Sequence, residues 1–114
     1  MDREGIGKAC LALPAVTVDH PFGDHHDAYR VGGKMFVMVG EQGGVSFKVS
    51  DIAYEVLIED GRARPAPYLA RAKWVNLPHP SAWPDGELAE HFAIAHAIIG
   101  AKLTKKQRTE LGLT

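Results

Sequence analysis

The amino-acid sequence predicts an α+β domain in which an antiparallel β-sheet carries helices packed on one face. Three observations predict it. Val45, Phe47 and Val49 alternate with Ser46 and Lys48, the period of two of a strand with one buried side. Gly32-Gly33 stands between two apolar runs, and a glycine pair supplies the positive φ that a two-residue hairpin turn demands. Leu88, Phe92, Ala95 and Ile99 recur at spacings of four, three and four, one stripe of a long helix.

The elements follow in chain order. Ile6, Ala9, Cys10 and Leu13 give an amphipathic helix over 3–13, which Pro14 stops because a residue before proline is pushed out of the helical region. His20-Pro21-Phe22-Gly23-Asp24 is a loop of turn formers. Strands are predicted over 26–31, 34–39 and 45–49, forming a meander with Val45, Phe47 and Val49 buried and Ser46 and Lys48 exposed. Ser50 or Asp51 caps the next helix, over 51–60, and Gly61 ends it as a left-handed residue. Pro65 and Pro67 keep 62–73 extended, and 73–77 alternates as a fourth strand. Asp85 then caps a helix over 86–101. Thr104-Lys105-Lys106-Gln107 has the form of a capping box opening a short last helix, with Gly112 as its terminator. His91 falls off the apolar stripe of the long helix and is expected to matter little to stability.

A chain of 114 residues has room for one core, so residues 1–114 read as a single domain. The hydrophobic share of 46% and charged share of 24% are ordinary for a globular protein. One cysteine excludes an internal disulfide framework and a cysteine-based zinc cage. No apolar run approaches the ~18 residues of a membrane span, and Met1-Asp2-Arg3-Glu4 does not open a secretory signal. A soluble, cytoplasmic protein with no membrane partner is the expectation.

Candidate chemistry is sparse. His20, Asp24, His25, His26 and Asp27 crowd one stretch, but neighbours along a strand point to opposite faces, so His25 and His26 do not share an ion. His91 and His96 are five apart, not the four that aligns two ligands on a helix. Gly5-Ile6-Gly7-Lys8 and Gly32-Gly33-Lys34 are fragments of nucleotide-binding loops without the residues that complete them. No serine lies in a nucleophile motif, and Cys10 falls on an apolar helix side. No enzyme, cofactor or metal is expected.

Charge is the one uneven feature. Net charge is −1, yet residues 1–60 carry five Lys/Arg against ten Asp/Glu, whereas residues 61–114 carry eight against four. The eight form two acid-free stretches: Arg62, Arg64, Arg71 and Lys73, then Lys102, Lys105, Lys106 and Arg108. Such stretches are commonly a solvated surface balanced by distant acids, but they also mark anion-facing sides. Lys105 and Lys106 sit in the first turn of the last helix, where cations oppose the macrodipole unless an anion is near.

With these elements placed, Leu13-Pro14-Ala15-Val16, Pro21-Phe22-Gly23 and Val31-Gly32-Gly33-Lys34-Met35-Phe36 resemble the YjbR/MmcQ-like family. Phe47-Lys48-Val49, Trp74-Val75 and Leu103-Thr104-Lys105-Lys106-Gln107-Arg108 extend the likeness along nearly the whole chain. The resemblance implies a CyaY-like, frataxin-related fold and a role often labelled double-wing DNA binding, with no agreed catalytic set or cofactor. Ala15 departs from the glycine usual after Leu-Pro in that family. The sequence therefore leads to a non-enzymatic module binding nucleic acid, DNA above all, through Arg62, Arg64, Arg71, Lys73, Lys102, Lys105, Lys106 and Arg108. The alternative is a module binding a protein or small ligand. Merging of the two basic stretches on one face favours the first; basic residues dispersed among acids, with an apolar pocket elsewhere, favour the second.

Overall fold

A computed structural model describes residues 1–113, so Thr114 lies outside the described residues. Six strands form one sheet in the order β1-β2-β3-β4-β6-β5, every pair antiparallel. They are β1 Val16–Asp19, β2 Asp27–Val31, β3 Lys34–Val39, β4 Val45–Lys48, β5 Arg64–Pro65 and β6 Trp74–Leu77. The helices are α1 Arg3–Leu11, α2 Asp51–Glu59, α3 Asp85–Gly100 and α4 Lys105–Glu110. The α+β fold and all four sequence-predicted strands are present. β1 and β5 are additions: β1 pairs along its length with β2, whose ladder supplies an order that four residues alone do not signal.

The core lies between the sheet and α1 and α3. Tyr29, Val37, Phe47 and Val75 fall in register on four adjacent strands, all buried. Phe92 of α3 meets Phe47 edge-on at 5.7 Å. A bulge between β2 and β3 at Tyr29/Arg30 turns Phe36 inward too, where it stands edge-on to His96 at 5.3 Å. His96 Nε2 in turn donates to the Pro14 carbonyl at 2.8 Å, joining α3 to the chain just beyond α1. His91 is half-buried rather than peripheral, its ring 5.6 Å from Phe47 and 5.5 Å from Trp83, so its truncation removes packing and will not be silent. Cys10 is fully buried in this core, and desolvation pushes its thiol up to about 12, which keeps it unreactive.

Asp2 caps α1 by accepting from the Gly5 amide, and Ser50 rather than Asp51 caps α2 by accepting from the Ala53 amide. The capping box of α4 is complete, with Thr104 and Gln107 bonding each other's backbone. Asp85 is not a cap: it is the first residue of α3, after Pro84, and makes no capping bond there. Gly32 and Gly33 have φ of 57° and 79°, the two positive values of a type I′ hairpin. Ala15 has φ of 58°, a left-handed conformation that glycine adopts more readily than alanine.

Arg3 of α1 grips Asp27 at the start of β2 through two bonds of 2.6 and 2.7 Å, and His20 adds a contact at 3.1 Å. The Arg3 guanidinium holds the Asp27 carboxyl below its ordinary range, against a partial opposing effect of burial. A carboxylate with a depressed folded pKa contributes stability above its unfolded pKa and loses it as pH falls through the folded value. Arg3→Ala should therefore lower the thermal midpoint at neutral pH, and the gap to the unmodified protein should close in acid. A gap constant from neutral pH down into acid would mean the ion pair contributes nothing specific.

Candidate functional site

The face of the sheet turned away from α3 carries a row of side chains that crosses all six strands in register: Asp19, Ala28, Met38, Ser46, Asn76 and Arg64. The polar end of the row is hydrogen-bonded along itself. Arg64 Nε donates to Asn76 Oδ1 at 2.8 Å, and Asn76 Nδ2 donates to Ser46 Oγ at 2.9 Å. The adjacent row places Lys48 opposite Trp74.

Ser46 and Lys48 are buried, at 4% and 8% exposure, contrary to the expectation from alternation. The reason is a second cover. After β5 the chain doubles back over this face: Ala66 N–H donates to Trp74 O, Trp74 N–H to Leu69 O, and the Lys48 amine to Ala72 O. This strap, 66–73, contains a single 3₁₀ turn at Ala70–Ala72. Tyr68 and Lys73 in it both adopt positive φ, at 66° and 61°. A bulky residue rarely takes that conformation, and strain of about 1–3 kcal/mol is retained where the surroundings impose it. Tyr68 spends it on full exposure, at 105%.

Between this strap and the loop 20–26 runs a cleft. One part, about 450 Å³, is floored by Met35 and Met38 and walled by Phe22 and His26 against Pro67, Tyr68 and Leu69. Phe22 is 60% exposed, and His26 Nδ1 is buried without a hydrogen-bond partner among the described residues. The other part, about 580 Å³, shares Met38, Pro67 and Tyr68 and continues over Ser46, Asn76 and Arg64 to Gln42 and His79.

The eight basic residues singled out from the sequence do not merge into one face. Arg62 pairs with Glu87 at 2.7 Å and lies 4.3 Å over the Trp83 ring, a structural tie between the segment after α2 and the start of α3. Arg64 belongs to the open-face row. Arg71 is exposed on the strap, and the Lys73 amine lies 4.8 Å over the Tyr54 ring. Desolvation depresses the Lys48 amine, the charges of Lys102 and Lys73 add to this, and Asp51 opposes it. Lys105 and Lys106 are exposed in α4. Arg108 faces a separate hollow beside His96 and Pro14 on the helical side. Reading the residues had missed Lys48, Phe22, Met38, Asn76 and Tyr68. Alternation did fix which way Ser46 points, but nothing local announced the strap above it.

A family model described as YjbR matches residues 11–98. The chain belongs to the YjbR family. Among solved structures, this YjbR chain is similar to the Deinococcus radiodurans protein DR2400, whose domain is described as DUF419, at 24% identity and a TM-score of 0.84. The likeness covers 96% of this chain and 86% of that one, and at this identity it concerns the fold. No curated protein matches. The YjbR match ends before Lys102, Lys105, Lys106 and Arg108, so half of the basic set lies outside the family's matched region. No helix among the described residues is long and apolar enough to cross a membrane.

Proposed function

We propose that the protein is a non-enzymatic module that binds single-stranded nucleic acid along the cleft between the strap 66–73 and the loop 20–26. The observation that carries this is Tyr68: an aromatic ring held fully in solvent, on strained backbone, above a cleft whose far wall carries the exposed Phe22. Strand-binding proteins combine such rings, on which bases stack, with cations that follow the phosphates. Arg71 and Lys73 on the strap supply the nearest cations, and Lys102, whose charge with that of Lys73 depresses the Lys48 amine, extends them, with Lys105 and Lys106 following in the chain. A duplex fits less well, since the dispersed arginines present no continuous basic stripe and Arg62 is already paired. The second reading, a small apolar ligand between Met35, Met38, Phe22 and Leu69, draws on the cleft's apolar walls and on the dispersal of the eight basic residues, the arrangement that by charge alone favours it.

Titration with labelled single-stranded and duplex oligonucleotides at about 50 and 200 mM salt separates these readings. Affinity should favour single strands and fall linearly with log salt. Lys73→Ala with Lys102→Ala should flatten that slope by about 1.4 units, and Tyr68→Ala should weaken binding by roughly 5- to 150-fold. No binding at the lower salt, or binding indifferent to Tyr68, would retire the proposal in favour of the small-ligand reading.

A further inference from the structure

Resting on the nucleic-acid reading, we propose that the part of the cleft over Ser46, Asn76 and Arg64 selects a guanine base. The site is built from a fixed guanidinium. Arg64 Nε is committed to Asn76 Oδ1, and Asn76 is itself held by bonds to Ser46 Oγ at 2.9 Å and the Val45 carbonyl at 3.4 Å. That chain of bonds orients Arg64 without using its two terminal nitrogens, which have no partner among the described residues. The free end is a pair of parallel N–H donors at the border of a 580 Å³ hollow.

Two adjacent donors need two adjacent acceptors. Guanine offers O6 and N7 on one edge, the match that arginine makes most often. Adenine sets an amino donor beside each ring-nitrogen acceptor of its polar edges, and thymine flanks each carbonyl with an N–H or a methyl group, so both meet the fork with a repulsion or a vacancy. Cytosine offers O2 and N3 side by side, but on a single ring that covers less of the apolar walls than a purine does. A phosphate or carboxylate would also satisfy the fork, but it would leave the apolar walls unused. Met38, Pro67, Tyr68 and Pro78 surround the hollow, and the Tyr68 ring is free to stack on a flat ligand. Fork and walls together describe a planar heterocycle with an acceptor edge.

The test uses single-stranded oligothymidines of about 12 nucleotides, unmodified or carrying one central guanine, adenine or cytosine, measured by fluorescence anisotropy. GMP, AMP and inorganic phosphate serve as competitors. The guanine strand should bind roughly 5- to 150-fold more tightly than the others. Arg64→Lys, which keeps the charge but not the fork, should abolish that preference, so that guanine and thymidine strands bind the variant alike. Equal affinity for all four strands, a preference that survives Arg64→Lys, or competition by phosphate as effective as by GMP would overturn the guanine assignment and leave the strand-binding reading standing. If no strand binds but direct calorimetric titration shows GMP binding more tightly than AMP in an Arg64-dependent way, the guanine site stands and the strand-binding reading falls. If neither strands nor GMP bind, both fall.

Discussion

Phe92→Ala is expected to cost roughly 3–5 kcal/mol, a large part of the ~5–15 kcal/mol that a domain of this size has to spare. Phe92 is wholly buried on the inner stripe of α3, and its ring meets Phe47 edge-on in the middle of the sheet. Removing it deletes an aromatic contact and leaves a cavity in a region where Phe47 is also ringed by Trp83 and His91. Those neighbours are themselves packed, so collapse into the space is limited. Ile94→Ala, two residues on and 43% exposed, is the matched control and should cost under about 1 kcal/mol. Chemical denaturation reads both. Equal midpoints for the two variants would mean that the helix is rotated from the phase described.

Gly32→Ala should be the most damaging of the glycine-to-alanine changes, at about 2–4 kcal/mol. Two costs coincide there. The residue has φ of 57°, and a Cβ would stand 2.6 and 2.7 Å from the two terminal carbons of Leu103. Leu103 is itself buried at 4%, so it has little room to swing aside. Gly33→Ala isolates the first cost: φ is 79°, but nothing lies within 4 Å of the added carbon. It should lose only about 1–2 kcal/mol. Combining Gly32→Ala with Leu103→Ala should be less damaging than the sum of the two. Strict additivity would show that the hairpin and the segment before α4 do not press on each other.

Most of the fold was legible because its signals are local. The Gly32-Gly33 pair, the Thr104–Gln107 capping box and the stripe through Leu88, Phe92, Ala95 and Ile99 each act within a few residues, and each was found where the sequence places it. β1 was hidden because Val16–Asp19 is extended chiefly by pairing with β2, a contact that leaves no mark inside four residues. The candidate site was less legible for the same reason. Period two placed Ser46 and Lys48 opposite Phe47, and that parity is right, but exposure was inferred from parity alone. Proline at 65 and 67 correctly excluded a helix, yet it could not show that the chain returns across the sheet and presents Tyr68 above it. Charge counting found Arg64, Lys73 and Lys102 but was blind to the pairing of Arg62 with Glu87, which lies 25 residues along the chain.

The bond from His96 to the Pro14 carbonyl spans 82 positions of sequence, and it has a kinetic meaning. β1 to β4 are consecutive neighbours in the sheet, so each of their pairings closes a short loop. α1 has only nine residues, below the ~12–15 at which a helix holds in water unaided, and the surface it needs includes α3. Its docking must await a closure many times longer than any in the meander, and long closures come late. Folding φ-values should accordingly be low in α1 and high in β2–β4, with the opposite ranking refuting this order. The helix that leads the chain is thus among the last parts to find its place, and the one whose release would leave the rest of the sheet paired.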